Sequence, residues 1–323
     1  MTRDVKASTL VLGEVLIDFF SGPADRSVPG ARVFPFEGVP GGAPANVAAH
    51  LAVRGLPVSL ITGFADDPLG EELKQMLAER GIDLTHCLTY PQSRSPLATV
   101  ISLPDGERTF RLYLEGSCLE KLTPALLTPE VWNGVDWVHF GSVMMAFRGP
   151  NELTHALAAG AKERGIVVSF DVNIRADLWL ESDVDPRTIV DVLPHVDVLK
   201  VSEEDFAWLQ ERFEGALQRP EDLLERGPAL VAYTRGPEGA ILFTRDARVE
   251  VAPPKVQVVD TTGAGDAFTA GIIYSLKEEG IRSRGQLEAM TPGLLRGVGQ
   301  DATGAAAAIL VQRGALPPLH RPQ

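Results

Sequence analysis

From Ser8 to Phe20 the apolar positions run almost unbroken through Leu10, Val11, Leu12, Val15, Leu16 and Ile17, which predicts a buried first strand with a site at its acidic and aromatic end. Beyond a Pro- and Gly-rich stretch the period becomes helical. Pro44 fits a first turn, Val47, Ala48, Leu51 and Ala52 share a face, and Gly55 is a natural stop. A strand at 58–62 and a helix at 69–80 closed by Gly81 complete one β-then-α unit. Similar units recur at 136–141 with 151–164, at 166–170, and at 196–201 with 203–212, and further helices are predicted at 267–277 and 294–312. This rhythm predicts an α/β fold, a mostly parallel sheet sandwiched by helices.

One region breaks the rhythm. Residues 98–103 and 108–114 alternate in polarity around Pro104-Asp105-Gly106-Glu107, and Asp-Gly is a strong hairpin signal. With the extended stretch near 32–36, this hairpin can form a small β-sheet over one edge of the main unit, either as a substrate lid or as a plain surface hairpin. The expected organisation is one domain over 1–323, with the lid drawn from parts of 14–40 and 96–117.

Composition narrows the function. The excess of 43 acidic over 30 basic side chains leaves a formal charge of −13, which argues against nucleic acid and anionic membrane surfaces as partners. Any phosphate must therefore be held locally. No apolar run is long enough to span a bilayer and the start lacks a secretory segment, so a cytoplasmic location is expected. Cys87 and Cys118 form neither a metal pair nor a disulfide framework and read as packing residues. His139, inside a strand, reads as a core residue.

The chemistry concentrates in Val258-Val-Asp-Thr-Thr-Gly-Ala-Gly-Asp-Ala-Phe-Thr-Ala-Gly271. Gly263, Ala264 and Gly265 carry almost no bulk, so their amides can approach an anion while the following helix adds its positive N-terminal end. Asp266 at the same bend is placed to take a proton from an attacking hydroxyl. Taken alone, the four residues are better read as a tight turn with Asp266 as a helix cap.

The longer string resembles the C-terminal signature of the ribokinase-like (PfkB-type) carbohydrate kinase family. Gly41-Gly-Ala-Pro-Ala-Asn-Val-Ala-Ala-His-Leu-Ala-Val-Arg-Gly55 is similar to that family's other signature. The resemblance implies transfer of the γ-phosphoryl group of Mg-ATP to a sugar hydroxyl, with Asp266 as base and 263–266 as anion hole. It implies Mg²⁺ as cofactor and places Asp260 and Thr262 where the family often holds a monovalent cation such as K⁺. Gly41, Gly42 and Asn46 would meet the sugar, and Asp18 would accept from its hydroxyls; residue chemistry alone leaves Asn46 a surface helix residue and Asp18 a strand-end carboxylate.

Three further segments carry the likeness. Leu199-Lys-Val-Ser-Glu-Glu-Asp-Phe206 stands where the family usually has Asn-x-x-Glu near the ATP phosphates and Mg²⁺; here Ser202 replaces the amide and Asp205 the longer carboxylate. Ser202 and Asp205 also fit a helix capping box, so both readings stay open. Thr234-Arg-Gly-Pro-Glu-Gly239 resembles the family's nucleotide loop, which assigns Thr234, Gly236 and Gly239 to ATP, although any strand-to-strand turn can use such glycines. Ser169-Phe-Asp-Val-Asn-Ile-Arg-Ala-Asp-Leu-Trp179 is similar to a stretch of fructokinases and 2-keto-3-deoxygluconate kinases, with Asn173 and Arg175 reaching the substrate.

Gly13-Glu-Val-Leu-Ile-Asp18 with the Gly41 signature resembles fructokinases most, which implies fructose as acceptor and fructose 6-phosphate as product. The segment Arg111-Leu-Tyr-Leu-Glu-Gly-Ser117 lacks the aromatic-then-Arg ending common in fructokinases and 2-keto-3-deoxygluconate kinases, which leaves the lid contacts open; the alternative acceptors are 2-keto-3-deoxygluconate or another sugar or sugar acid such as ribose. A sugar sensor without turnover is the alternative from a different class, and the retained Asp266 argues against it. A dinucleotide enzyme or P-loop kinase lacks its Gly-rich motif in this chain. Open edges of a lid sheet predict a homodimer.

Overall fold

The computed structural model describes residues 8–22, 35–102, 108–213 and 217–319, with backbone alone at 102 and 108–110. The chain opens with two strands rather than the predicted one: β1 (Ser8–Leu12) and β2 (Leu16–Ser21). They belong to different sheets. The break falls at Gly13, where a Cβ would lie 2.1 Å from Pro44 Cγ, so the chain turns where only glycine fits. Asp18 accordingly sits within β2 and not at the end of the core strand.

Next come β3 (Phe36–Gly41), α1 (Ala43–Ala52), β4 (Val58–Ile61), β5 (Gly63–Ala65) and α2 (Pro68–Glu79). They are followed by β6 (Leu88–Tyr90), the hairpin strands β7 (Leu97–Ser102) and β8 (Arg108–Tyr113), β9 (Val135–Gly141) and α3 (Arg148–Glu163). The second half supplies β10 (Val167–Asp171), α4 (Ala176–Glu181), α5 (Thr188–Asp191), β11 (Val198–Ser202), α6 (Glu203–Arg212) and β12 (Leu230–Thr234). It ends with β13 (Ala240–Phe243), β14 (Arg248–Val251), α7 (Ala264–Glu278), α8 (Arg284–Glu288) and α9 (Pro292–Leu310).

Among the described residues the main sheet has eight strands in the order β14-β13-β12-β11-β10-β9-β1-β4, parallel from β12 to β4 and antiparallel at the β12–β13–β14 edge. Strand alternation divides its core between two faces. Leu10, Leu12, Val138, Phe140 and Phe170 pack with α3 residues such as Leu153 and Leu157, while Val11 and Trp137 pack with α1 and α7 residues such as Val47 and Phe268. In such a sheet the carboxyl ends of the parallel strands open on one edge, where a ligand can meet several loops at once. Glu14, Asp171, Ser202 and Thr234 stand at those ends.

The smaller sheet, β3-β2-β7-β8, combines the hairpin with the two segments that flank the Gly/Pro-rich stretch. It uses strands from both parts of the chain expected to form the lid; the 32–34 portion of the extended stretch and the 104–107 turn lie outside the described residues. No described helix is long and apolar enough to cross a membrane.

The residues read as core behave as such. His139 is buried on Ser169 Oγ at 3.0 Å, and burial pushes its pKa down to about 3. The Cys87 and Cys118 thiols donate to the carbonyls of Leu60 and Gly63, and burial pushes both up to about 12, which leaves them unreactive.

Candidate active site

Helix α7 begins three residues earlier than its apolar pattern predicts, so Gly263 is the N-cap, at a left-handed φ of 76°, and Asp266 lies in the first turn. A Cβ at Gly263 would lie 2.4 Å from Ala315 Cβ, so the bend is closed from behind. Val258 and Val259 ahead of it are more than half exposed and belong to no strand. The amide of Ala264 donates weakly to Thr261 O at 3.3 Å. The amides of Gly265 and Asp266 have no carbonyl behind them in the helix, as at any helix start, and no side chain caps them. Asp266 is thus not the cap. Its Oδ2 accepts from Asn46 Nδ2 at 2.7 Å instead, across the contact between α7 and α1.

Burial pushes the Asp266 pKa up to about 6; the Asn46 bond opposes this, Asp171 adds to it, and Arg175 and Lys200 resist it. A carboxylate poised there is ionised at neutral pH yet basic enough to accept a proton as a hydroxyl attacks.

The small sheet brings Asp18 to the same place. Asp18 faces the end of β3, where a Cβ at Gly41 would lie 2.1 Å from its Oδ2, and its Oδ1 is buried without a partner. Burial pushes it up to about 7, with Arg175 opposing and Asp266 adding. Gly42 joins β3 to α1 at a φ of 107°, with room for a Cβ denied by the Glu14 carbonyl at 2.4 Å. Arg175 lies within electrostatic reach of Glu14, Asp18 and Asp266. Asn173, at a φ of 36°, accepts from Arg175 Nη1 through its Oδ1 at 2.6 Å, so its side chain orients the guanidinium.

Beside this cluster a cavity of about 610 Å³ is lined by Arg175, Lys200, Ser202, Thr234, Gly236 and Gly265, among others. Asp205 also faces it, but the capping box is real: Asp205 Oδ2 accepts from Ser202 N at 2.9 Å and Ser202 Oγ from Asp205 N at 3.1 Å, while Asp205 Oδ1 accepts from Ile174 N at 2.7 Å. Gly239 stands apart from the cavity, at a φ of 87° where a Cβ would strike the Val251 carbonyl, and serves the β12–β13 turn. Asp260 and Thr262 stand apart as well: Asp260 Oδ1 accepts from Thr262 N and Oγ1 at 3.0 and 2.8 Å, and its Oδ2 accepts from Gly314 N.

Two buried groups escaped the sequence reading. Glu14 accepts from the Ala43 amide at 3.1 Å, leaves Oε2 unpartnered, and is pushed up to about 7 by burial. Lys200 faces Asp171 at 3.0 Å. The available signal was a charged residue inside an apolar strand pattern.

The arrangement joins a buried carboxylate, the first amides of a helix and a cavity of about 610 Å³. The pfkB family carbohydrate kinase model matches residues 6–320. The chain is a member of the pfkB carbohydrate kinase family. It is 33% identical over 267 residues to fructokinase-2 of Zea mays, covering 83% of this chain and 79% of the relative. It is 32% identical over 292 residues to a fructokinase of Rhizobium leguminosarum bv. trifolii, covering 89% and 85%. The crystal structure of a Xylella fastidiosa fructokinase with bound ATP superposes with a TM-score of 0.87 at 26% identity, covering 96% of this chain and 94% of that one. Aminoimidazole riboside kinase of Salmonella enterica superposes at 0.77 and 25% identity, covering 96% of each chain. As a pfkB carbohydrate kinase, the chain is a phosphotransferase acting on a sugar hydroxyl.

Proposed function

We propose that this kinase transfers the γ-phosphoryl group of Mg-ATP to fructose, giving fructose 6-phosphate, with Asp266 as base. The observation that carries the mechanism is the pairing of a buried, Asn46-bonded carboxylate with the unpartnered amides of the same helical turn. The likeness to fructokinases supports the choice of sugar.

In this reading the sugar lies between the small sheet and the first turn of α1, its hydroxyls accepted by Asp18 and oriented by Asn46, with the Gly41-Gly42 backbone close against it. Arg175 balances the three carboxylates around it, and Asn173 fixes that guanidinium. ATP occupies the cavity beside Ser202, Thr234 and Gly236, with Gly239 shaping the turn. As the acceptor oxygen attacks the γ-phosphorus, its proton passes to Asp266, while the amides at 263–266 stabilise charge on the phosphoryl oxygens. The small sheet acts as a lid that excludes water and so suppresses hydrolysis.

Among the described residues no cluster of three His, Cys, Asp or Glu side chains is set to hold a metal ion. Mg²⁺ would come in on the nucleotide phosphates with its waters, and Asp205 would meet it through water from the head of α6. Bound there, Mg²⁺ would neutralise phosphate charge. Asp260 and Thr262, tied to one another just before the 263–266 bend, would hold a monovalent cation such as K⁺.

Steady-state assays across fructose, ribose, 2-keto-3-deoxygluconate and other sugars test the acceptor; a preference outside hexoses overturns fructose. Asp266→Asn should keep sugar binding within a fewfold while turnover drops by about 10³-fold. Surviving turnover would remove Asp266 as base.

A further inference from the structure

Lys200 lies on β11 two residues before Ser202, so strand alternation sends both side chains to the same face at the carboxyl end of the sheet. Its register partner on β10 is Asp171, whose Oδ1 lies 3.0 Å from the ammonium. At that distance the buried pair is in direct contact. The other oxygen, Oδ2, accepts from Thr269 Oγ1 at 2.9 Å, and Thr269 stands one turn along α7 from Asp266. A Cβ added at Gly265 would lie 3.4 Å from Lys200 Nζ, which puts the ammonium against the first turn of α7 and in the wall of the 610 Å³ cavity.

That placement needs explaining. A helix start already carries partial positive charge, and a cation beside it raises the electrostatic cost. Asp171 behind the ammonium offsets part of it. An anion in front, on the cavity side, would complete the balance. A purely structural pair has little reason to sit here, because the β10–β11 ladder is already joined by backbone bonds and buried ion pairs add little net stability. Burial works against the charged form of Lys200, yet Asp171 and Asp205 outweigh it and hold it protonated.

We propose that Lys200 is a catalytic residue that meets the phosphoryl group in transit over the 263–266 bend, with Asp171 and Thr269 as its positioning residues. In that step the bond from the γ-phosphorus to the β,γ-bridging oxygen breaks, and its electron pair leaves with ADP. The bond from the sugar oxygen to phosphorus forms, and the hydroxyl proton moves to Asp266. Charge accumulates on the phosphoryl oxygens, where a fixed ammonium stabilises the transition state more than bound ATP. The proposal deepens the site reading above and rests on it.

The test uses Lys200→Met/Asp171→Asn, which removes both charges and keeps an acceptor for Thr269, so no buried charge is left alone. With fructose, turnover should fall roughly 10²–10³-fold, the range for losing one oriented donor to a developing anion. Affinity for ADP alone should change by less than about threefold, while affinity for ADP with aluminium fluoride and fructose falls in step with turnover. Turnover within threefold of the parent, or equal losses for ADP with and without aluminium fluoride, overturns the proposal. Lys200→Gln carries the same two ratios should the double variant fail to fold. Asp266→Asn, run in parallel, separates the premise from the proposal: if that variant turns over normally the site reading has failed, whatever Lys200 does.

Discussion

A carboxylate that must be ionised to act writes its pKa into the rate. Because burial raises Asp266 to about 6, kcat/KM for the sugar should climb with pH through about 6 and level off above it. A profile flat from pH 5 to 8 would exclude Asp266 as the group that takes the proton. Glu14 poses the complementary question of stability. Its pKa is raised from 4.5 to about 7 by burial, so folding takes up a proton between those values and the buried charge weakens the fold above about pH 7. Glu14→Gln keeps an oxygen for the Ala43 amide and should stabilise the protein by about 1–3 kcal/mol at pH 8, with the two chains converging near pH 5 in urea titrations. Equal stability at both pH values would mean the carboxyl is solvated. Asp266, Asp18 and Asn46 were legible because they sit in or beside motif strings, whereas Glu14 and Lys200 were not. Both lie in runs of apolar residues, where the pattern reports burial and says nothing of the partner that makes a buried charge tolerable.

Elements show the same division. The predicted β-α units all formed, since apolar periodicity and Gly stops at positive φ, as at Gly55 and Gly81, are local signals. The split of the first strand into β1 and β2 was not legible, because both halves are apolar and the break depends on Pro44 packing against Gly13 from the start of α1. The α6 head is where two readings of one pair remained. Ser202 and Asp205 cap the helix, so Ser202→Ala should cost about 1 kcal/mol in unfolding free energy. Asp205→Asn retains an acceptor for the cap and removes the charge. If Asp205 also meets Mg²⁺ through water, the Mg²⁺ concentration for half-maximal rate should rise by about tenfold with little change in melting temperature. An unchanged Mg²⁺ dependence assigns Asp205 to the helix alone.

At the scale of the molecule, the small sheet carries Asp18 on one side and exposes apolar side chains elsewhere. Phe36, Ile101 and Tyr113 on its strands are between 42% and 53% exposed, a large apolar content for a sheet with open edges at β3 and β8. Such a sheet either pairs or risks uncontrolled association. Pairing of two copies through it would cover these residues and, because β3 runs through Gly41 and Gly42 into α1, would also steady the loop that meets Asn46 and hence Asp266. A homodimer built this way predicts a light-scattering mass twice that of the single chain at micromolar concentration. Tyr113→Lys should shift that mass toward one chain and raise KM for the sugar, while the melting temperature of the main sheet stays close to that of the parent. If Tyr113→Lys and the parent share both mass and KM, the small sheet works as a lid within one chain, and its apolar face needs another explanation.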